Sequence, residues 1–196
     1  ESEKTKWRLR ALGFDESVLT VCRMNFSEID QLAKKVGPFD FILADLGVSS
    51  MQIDNPERGY SYKTEGPLDL RLNPSQGISA RERLQTISAA ELEGMLLENA
   101  DEPYAREISH RITDDTKRGL VIDTTRKLYE EIEKALCFLP EEERREAVKK
   151  SSARTFQALR IDVNKEYEVL YDFLEKLPQV MAPGGRIAIL TFHSGE

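Results

Sequence analysis

Asp45 is the first residue whose type and position indicate chemistry. It ends an apolar run, residues 39–44, that is typical of a strand buried on both faces, and residues 46–50 follow as a loop of mostly small side chains. Ligands of open parallel sheets lie outside the carboxyl ends of the strands, so a carboxylate here is a candidate for binding or catalysis. The alternative is a solvated strand end.

Helix and strand signals alternate around Asp45. The sequence predicts a helix, a strand, a second helix and the strand that Asp45 ends: Lys4–Leu12, Val18–Cys22, a helix N-capped by Ser27 that stops near Val36, and Phe39–Asp45. Near the other end, a turn at Pro183-Gly184-Gly185 leads into a buried strand, Arg186–Phe192. This alternation favours an α/β fold with a doubly wound parallel sheet.

A block of amphipathic helices separates these two parts. Predicted helix starts lie at Ser88, Pro103, Thr124 or Thr125, and Pro140. Ser151 or Ser152 then begins the longest helical signal, whose apolar stripe is Phe156, Leu159, Val163, Tyr167, Leu170 and Leu174. We therefore predict an inserted all-helical subdomain at residues 79–150, within a core formed by residues 1–78 and 151–196.

Composition limits the class of protein. The chain has 196 residues, 40% hydrophobic and 32% charged, as in a globular domain, with no apolar run near the roughly 20 residues of a membrane span. No signal peptide pattern opens it, so we expect a cytoplasmic protein without a membrane partner. Cys22 and Cys137 lack a CxxC or Cys/His context, which favours buried free thiols over a disulfide or metal site. The net charge of −7 argues against indiscriminate polyanion binding but permits a local basic face.

Four segments resemble successive motifs of the RsmH/MraW family. They are ADLGVSSMQID-NPERGYSY with GPLDLRL, then EPYAREI, ARTFQALRIDVNKE and MAPGGRIAILTFHS. That family comprises S-adenosylmethionine-dependent methyltransferases that act on N4 of a cytidine in small-subunit ribosomal RNA. The resemblance implies a partial Rossmann-like class I methyltransferase sheet with an inserted helical subdomain, S-adenosyl-L-methionine as cofactor and small-subunit ribosomal RNA as partner.

The same resemblance implies that parts of the enzyme lie outside this sequence. The family's Gly-rich cofactor loop and the acidic residue ending its second strand would precede Glu1, and the closing motif usually continues as FHSLEDR, with Leu where Gly195 stands. We therefore expect half a cofactor site and no activity from this chain alone. In the family's strand order, Val18–Cys22 would lack its neighbours and leave sheet edges exposed. Either the missing parts are present elsewhere, or the chain compensates by rearrangement or by association, for example as a homo-oligomer.

Site residues follow from the family motifs. Asp45 would accept a hydrogen bond from the target N4 amine as a catalytic group, or contact the methionine amino group of the cofactor; a structural role is the alternative. Gln52 matches a family Gln that contacts the cofactor, and Phe26 matches an aromatic beside the adenine, with core packing as its alternative. His193 and Ser194 lie at the rim as orienting or chemical groups.

Charged and aromatic residues suggest contacts with RNA. Six cationic residues lie close together in the sequence, either as a solvated helix face or as phosphate contacts: Arg144, Arg145, Lys149, Lys150, Arg154 and Arg160. Tyr60, Tyr62 and Tyr104 are candidates for stacking on unstacked bases. In the long loop, Asp54, Arg58, Asp69 and Arg71 either touch RNA or, as we favour, order the loop through carboxylate–guanidinium pairs.

The predicted function is transfer of a methyl group from S-adenosylmethionine to a cytidine N4 of small-subunit ribosomal RNA. One alternative is a non-catalytic module derived from the same fold, which binds RNA or another protein. A further possibility is methylation of a different substrate by the same scaffold.

Overall fold

The computed structural model describes residues 2–15 and 17–191. Across these residues the chain is largely helical, with one two-stranded sheet. It divides into two compact units. The first unit comprises residues 1–42 and 168–188, and the second unit comprises residues 43–167 and 189–196.

The helices in chain order are α1 (Ser2–Ala11), α2 (Ile29–Val36), α3 (Ser50–Ile53), α4 (Ala80–Thr86), α5 (Ala89–Ala100), α6 (Ala105–Lys117), α7 (Thr125–Ala135), α8 (Glu141–Asn164) and α9 (Glu166–Val180). Short 3-10 helices occupy Phe26–Glu28 and Pro56–Arg58, and the strands are β1 (Phe39–Asp45) and β2 (Met181–Leu190). None of the described helices has the length and apolar character that crossing a bilayer requires.

The sheet pairs β1 with β2 in parallel, which gives the chain the mixed helix and parallel-sheet character of an α/β fold. β1 has the predicted bounds. The predicted turn at Pro183-Gly184-Gly185 is wrong, because these residues lie inside β2. An edge strand tolerates a proline, which cannot donate a ladder hydrogen bond. A Cβ on Gly185 would lie 3.0 Å from the carbonyl oxygen of Phe39, so glycine permits this close approach.

Residues 18–22 do not form the predicted strand Val18–Cys22. A strand needs a hydrogen-bonding neighbour, and the described sheet consists of β1 and β2 alone. The prediction that β1 is buried on both faces is also wrong. Phe41 and Leu43 are 59% and 60% exposed, although Ile42 between them is buried, because the two-stranded sheet is largely uncovered.

The first unit shows how a short polar turn begins a helix. Asn25 accepts a hydrogen bond from the Ser27 amide, and Glu28 accepts one from the Asn25 amide, so Asn25 caps the 3-10 helix that leads into α2. The predicted cap at Ser27 is therefore wrong, because the added 3-10 turn moves the start of the helical segment. The predicted end at Val36 is confirmed.

The helices of the second unit enclose one apolar core. Ser88 and Thr124 cap α5 and α7 as predicted, since each hydroxyl accepts a hydrogen bond at 3.2 Å from the amide three residues later. Core side chains with no more than 1% exposure include Leu84, Leu92, Leu96, Ile108, Ile112, Leu128, Ile132 and Leu159. Both cysteines are exposed free thiols, so the prediction that they are buried is wrong. Cys137 lies in the connection between α7 and α8, and Cys22 lies in the irregular segment before the 3-10 helix.

α8 passes through the predicted helix start at Ser151 or Ser152, which is therefore wrong. Both serines are buried, and the Ser151 hydroxyl donates to Oε1 of Glu102 at 2.8 Å instead of capping a new helix. α8 ends at Asn164, and the next residue, Lys165, adopts a left-handed conformation with φ of 51°. The predicted apolar stripe is consequently divided between α8 and α9.

The long loop after β1 is folded against the helices of the second unit. The Thr125 hydroxyl donates to the Thr64 carbonyl at 2.8 Å and accepts from the Gly66 amide at 3.1 Å. A Cβ on Gly66 would lie 2.0 Å from the carbonyl oxygen of Pro56, so this backbone crossing requires glycine. Leu68 and Leu70 are at most 1% exposed and belong to the core. The loop is thus an integral part of the second unit.

Tyr60 lies half-buried in this loop. Its hydroxyl has no hydrogen-bond partner among the described residues and no access to solvent. Burial raises the pKa of Tyr60 from 10.0 to about 12, because the charged phenolate is disfavoured away from water.

We expect Tyr60→Phe to reduce the loss of stability at high pH. The unfolded chain ionises Tyr60 near pH 10 and the folded protein only near pH 12, so the stability of the folded state falls as pH rises through this window. Urea unfolding at pH 7, 10 and 11.5 gives the free energy of unfolding of wild type and variant. At pH 7 the variant should be at least as stable, because it removes an unpaired hydroxyl.

Tyr171→Phe, which removes a tyrosine with 63% exposure, is the matched control. If Tyr60→Phe and wild type lose stability in parallel between pH 10 and 12, the assignment of this loss to Tyr60 is wrong.

Candidate functional site

Asp45 lies at the carboxyl end of β1 with its side chain exposed. Pairing extends one residue past the strand, because the Leu46 amide donates to the Leu190 carbonyl at 3.1 Å. Gly47 then adopts φ of 84°, a conformation that few other residues reach, and turns the chain away from the sheet. The carboxylate is therefore held at the strand end by the sheet and remains accessible to a ligand.

Gln52 lies in α3, directly after this turn. Its Oε1 atom accepts hydrogen bonds from the Ser49 amide at 2.9 Å and from the Ser49 hydroxyl at 3.0 Å. These bonds fix the orientation of the carboxamide and direct its oxygen toward the protein. The two N–H donors of Gln52 have no partner among the described residues, so they are available for an acceptor on a ligand.

Phe26 belongs to the first unit, whereas Asp45 and Gln52 belong to the second. Its ring meets Phe173 edge to face, with centroids 5.2 Å apart and an interplanar angle of 87°. The side chain is 42% exposed. Phe26 thus packs against one neighbour and still offers ring surface for stacking, so the two predicted roles are compatible.

The six predicted RNA-contacting cations divide into two groups. Arg144 donates twice to the Leu139 carbonyl, at 3.1 and 2.7 Å, and Arg160 forms a bidentate pair with Glu166 at 2.8 and 2.9 Å. Arg144 thus binds the segment before α8, and Arg160 binds the first residue of α9.

The other four lie between them on the same helix. Arg145, Lys149 and Lys150 are exposed and Arg154 is half-buried. Lys150 lies 3.6 Å from Glu146. No carboxylate of the described residues lies within ion-pair distance of Arg145, Lys149 or Arg154. This central part of α8 therefore presents cationic groups that an anionic partner can reach.

Among the charged loop residues, Asp69 and Arg71 order the loop as predicted. They form a bidentate pair at 2.7 and 2.8 Å, and the Arg71 guanidinium holds the pKa of the Asp69 carboxyl below its usual range. Arg58 instead donates to the carbonyls of Arg71 and Leu72 at 3.3 and 3.1 Å. Asp54 is exposed and has no such pair among the described residues.

The three candidate stacking tyrosines are all half-buried. Tyr62 stacks on Tyr129 with centroids 6.0 Å apart and meets Phe156 edge to face at 6.1 Å. Tyr104 meets the exposed ring of Phe138 at 6.1 Å. These contacts give Tyr62 and Tyr104 packing roles in the second unit. His193 and Ser194 lie outside the described residues.

Sequence reasoning missed Asn164 and Arg83. Asn164 joins the end of α8 to residues 70 and 72 through its side chain. Arg83 joins α4 to α8 and α5 through Asp162 at 2.8 Å and Glu91 at 2.7 Å. The sequence placed Asn164 inside one continuous helical signal, and its partners in the loop lie more than 90 positions away. No set of three or more His, Cys, Asp or Glu side chains in the described ranges is placed to hold a metal ion.

Comparison with known proteins identifies relatives over the whole chain. A ribosomal RNA small subunit methyltransferase H 1 of Lachnoclostridium phytofermentans is 65% identical over 196 residues, which cover all of this chain and 54% of that protein. The protein of the same name from Agathobacter rectalis is 64% identical, again over the whole chain and over 56% of its own length. A ribosomal RNA small subunit methyltransferase H of Prochlorococcus marinus is 40% identical over 92% of this chain and 58% of its own length.

The chain thus spans a little over half the length of these curated relatives. The family model described as the MraW methylase family matches residues 3–196. Because this match and the similarity to the relatives both extend over essentially all of the sequence, the chain belongs to the MraW methylase family.

Proposed function

We propose that the whole protein transfers a methyl group from S-adenosyl-L-methionine to N4 of a cytidine in small-subunit ribosomal RNA, and that this chain provides part of its active site. The observation that carries the proposal is the similarity, over the entire chain, to relatives named ribosomal RNA small subunit methyltransferases. The exposed carboxylate of Asp45 at a parallel strand end is consistent with it. We also propose that the protein is cytoplasmic, because its proposed substrate, small-subunit ribosomal RNA, is found in the cytoplasm.

Asp45 is the group that we assign to the reacting amine. The lone pair of a cytosine N4 amine is delocalised into the ring, which makes the nitrogen a poor nucleophile. A carboxylate that accepts an N4 hydrogen favours the reactive geometry and accommodates the positive charge that develops during transfer. Contact with the amino group of the cofactor is the second role open to the same carboxylate.

Gln52 and Phe26 fit the remaining requirements of the cofactor. The Gln52 amide keeps two donors for a cofactor oxygen, because Ser49 already occupies its acceptor. Phe26 offers a partly exposed ring for the adenine. S-adenosyl-L-methionine, when bound, supplies the electrophilic methyl group. The protein must align donor and acceptor and exclude competing water.

The central part of α8 is our candidate contact with the RNA backbone. Arg145, Lys149, Lys150 and Arg154 have charges that can reach phosphates, whereas Arg144 and Arg160 are held within the protein. We therefore assign Arg144 and Arg160 a structural role near the two ends of α8, and not a contact with RNA.

The finer architecture is also a proposal. We propose a partial Rossmann-like class I methyltransferase sheet at residues 1–78 and 151–196, with residues 79–150 as an inserted helical subdomain. The resemblance of the sequence motifs supports it, and the helices α4 to α7 fall within the inserted range. The described sheet has two strands, so each strand has one edge without a described neighbour, which supports association through these edges as a further proposal.

We expect Asp45→Asn in the whole protein to lower methyl transfer by about 10²–10⁴-fold, because an amide cannot replace the carboxylate at the developing positive charge. The measurement is incorporation of tritium from labelled S-adenosylmethionine into small-subunit ribosomal RNA. Asp40→Asn, on the exposed surface of the same strand, is the matched control and should leave the rate unchanged.

Calorimetry with S-adenosylmethionine distinguishes the two roles of Asp45. An unchanged dissociation constant in Asp45→Asn assigns the carboxylate to the target amine, and a dissociation constant raised about tenfold assigns it to the cofactor. Full activity of the variant would exclude both roles.

We expect replacing Arg145 and Lys149 together by Ala to weaken binding of small-subunit ribosomal RNA and to reduce its dependence on salt. Loss of two phosphate contacts should lower the slope of log K against log salt by about 1.4 for single-stranded RNA. Fluorescence anisotropy at several salt concentrations measures both quantities.

The control replaces Lys117 and Arg118, at the end of α6, by Ala. It removes the same charges, so an equal effect from this pair would show that net charge, and not the α8 surface, determines RNA binding.

A further inference from the structure

The segment Asp69–Leu72 has every backbone hydrogen-bonding group occupied, although it is neither helix nor strand. The Asp69 amide donates to the Pro67 carbonyl and its carbonyl accepts from the Ala80 amide. Leu70 donates to the Arg58 carbonyl. The remaining groups are bound by side chains: those of Asp69 itself, Arg58 and Asn164. Side chains therefore determine the conformation of this segment.

Leu70 is strained within it. Its φ is 63°, in the left-handed region that a branched residue rarely adopts, and its side chain is completely buried. Such a conformation persists only where the surroundings determine it, and it is found preferentially where a chain must present a binding surface. A change of φ to an unstrained value would move the Leu70 side chain out of the core. The hydrogen bonds to the backbone on both sides of Leu70 must therefore offset the strain energy.

Asn164 makes those bonds. Its Nδ2 donates to the Leu70 carbonyl at 2.7 Å and to the Arg160 carbonyl at 2.8 Å, and its Oδ1 accepts from the Leu72 amide at 2.7 Å. It is the last residue of α8. One carboxamide thus binds both sides of residue 71 to the rigid end of a long helix.

Arg71 is the residue that this arrangement places. Its guanidinium is bound to Asp69 and, through Nη1, to the Gly77 carbonyl at 3.1 Å, and its side chain remains 19% exposed. Three of the five N–H groups are used, so two face no acceptor among the described residues. A planar donor held in this way suits an unstacked base or its phosphate.

We propose that Asn164 is a positioning residue for the RNA substrate: it holds Asp69–Leu72 in its strained conformation so that Arg71 contacts the target nucleotide. This inference rests on the proposed function, because it requires RNA as the substrate. Asn164 itself touches neither substrate nor cofactor.

The test uses Asn164→Ala in the whole protein, with Asn99→Ala as the matched control. Asn99 also joins two segments of the second unit, since its Nδ2 donates to the Ala158 carbonyl at 3.3 Å, but it does not contact the loop. We expect Asn164→Ala to weaken binding of small-subunit ribosomal RNA at least tenfold in fluorescence anisotropy and to accelerate hydrogen exchange at the Leu72 amide. Asn99→Ala should change neither, and affinity for S-adenosylmethionine should be the same in both variants.

Asn164→Ser provides a second variant in case Asn164→Ala fails to fold. Its hydroxyl is polar and uncharged but too short to bond the Leu70 carbonyl and the Leu72 amide at the same time, so its RNA affinity should fall between wild type and Asn164→Ala.

The outcomes separate this inference from the proposed function. If wild type does not bind small-subunit ribosomal RNA, both fail. If wild type binds and Asn164→Ala binds equally well with a faster-exchanging Leu72 amide, only the positioning role is overturned. If the Leu72 amide remains protected in Asn164→Ala, Asn164 does not hold the segment and the inference fails on structural grounds.

Discussion

A loop that enters an apolar core must find a partner for each backbone N–H and C=O, and this requirement organises the second unit. Leu68 and Leu70 bring the chain into the core at positions where no ladder of helix or sheet bonds can satisfy it. The start of α7 supplies partners through Thr125, and the end of α8 supplies them through Asn164. The positions of these two helix ends thus define the course of the loop, as much as its own sequence does.

Local signals in the sequence predicted the elements whose ends are determined locally. Ser88 and Thr124 capped helices where expected, because an N-cap bonds to an amide three residues away. The same logic failed at Ser151 and Ser152, since their surroundings inside the protein, and not the adjacent backbone, decide what a buried hydroxyl binds. Val18–Cys22 had the composition of a strand, but composition cannot supply the neighbour with which a strand must pair.

The candidate site was predictable to the extent that it lies along one stretch of chain. Asp45 and Gln52 flank the turn after β1; the end of an apolar run indicated Asp45, and the match to a family motif indicated Gln52. Asn164 could not be found in this way, because its bonds to residues 70 and 72 depend on tertiary folding. The same limit applied to Arg144 and Arg160, which looked equivalent to their cationic neighbours until the structure showed a carbonyl and a carboxylate beside them.

Because α8 is one continuous helix, it fixes the distances between the residues along it. Its 24 residues span about 36 Å, and the separation of fifteen positions between Lys149 and Asn164 corresponds to about 22 Å along the axis. At 3.6 residues per turn these two positions differ by about 60° around the helix, so they point to broadly the same side. The number of residues between the central part of α8 and Asn164 therefore determines both their distance along the helix and the angle between them. As long as the helix is intact, the cationic side chains and the loop bound by Asn164 cannot change these two quantities.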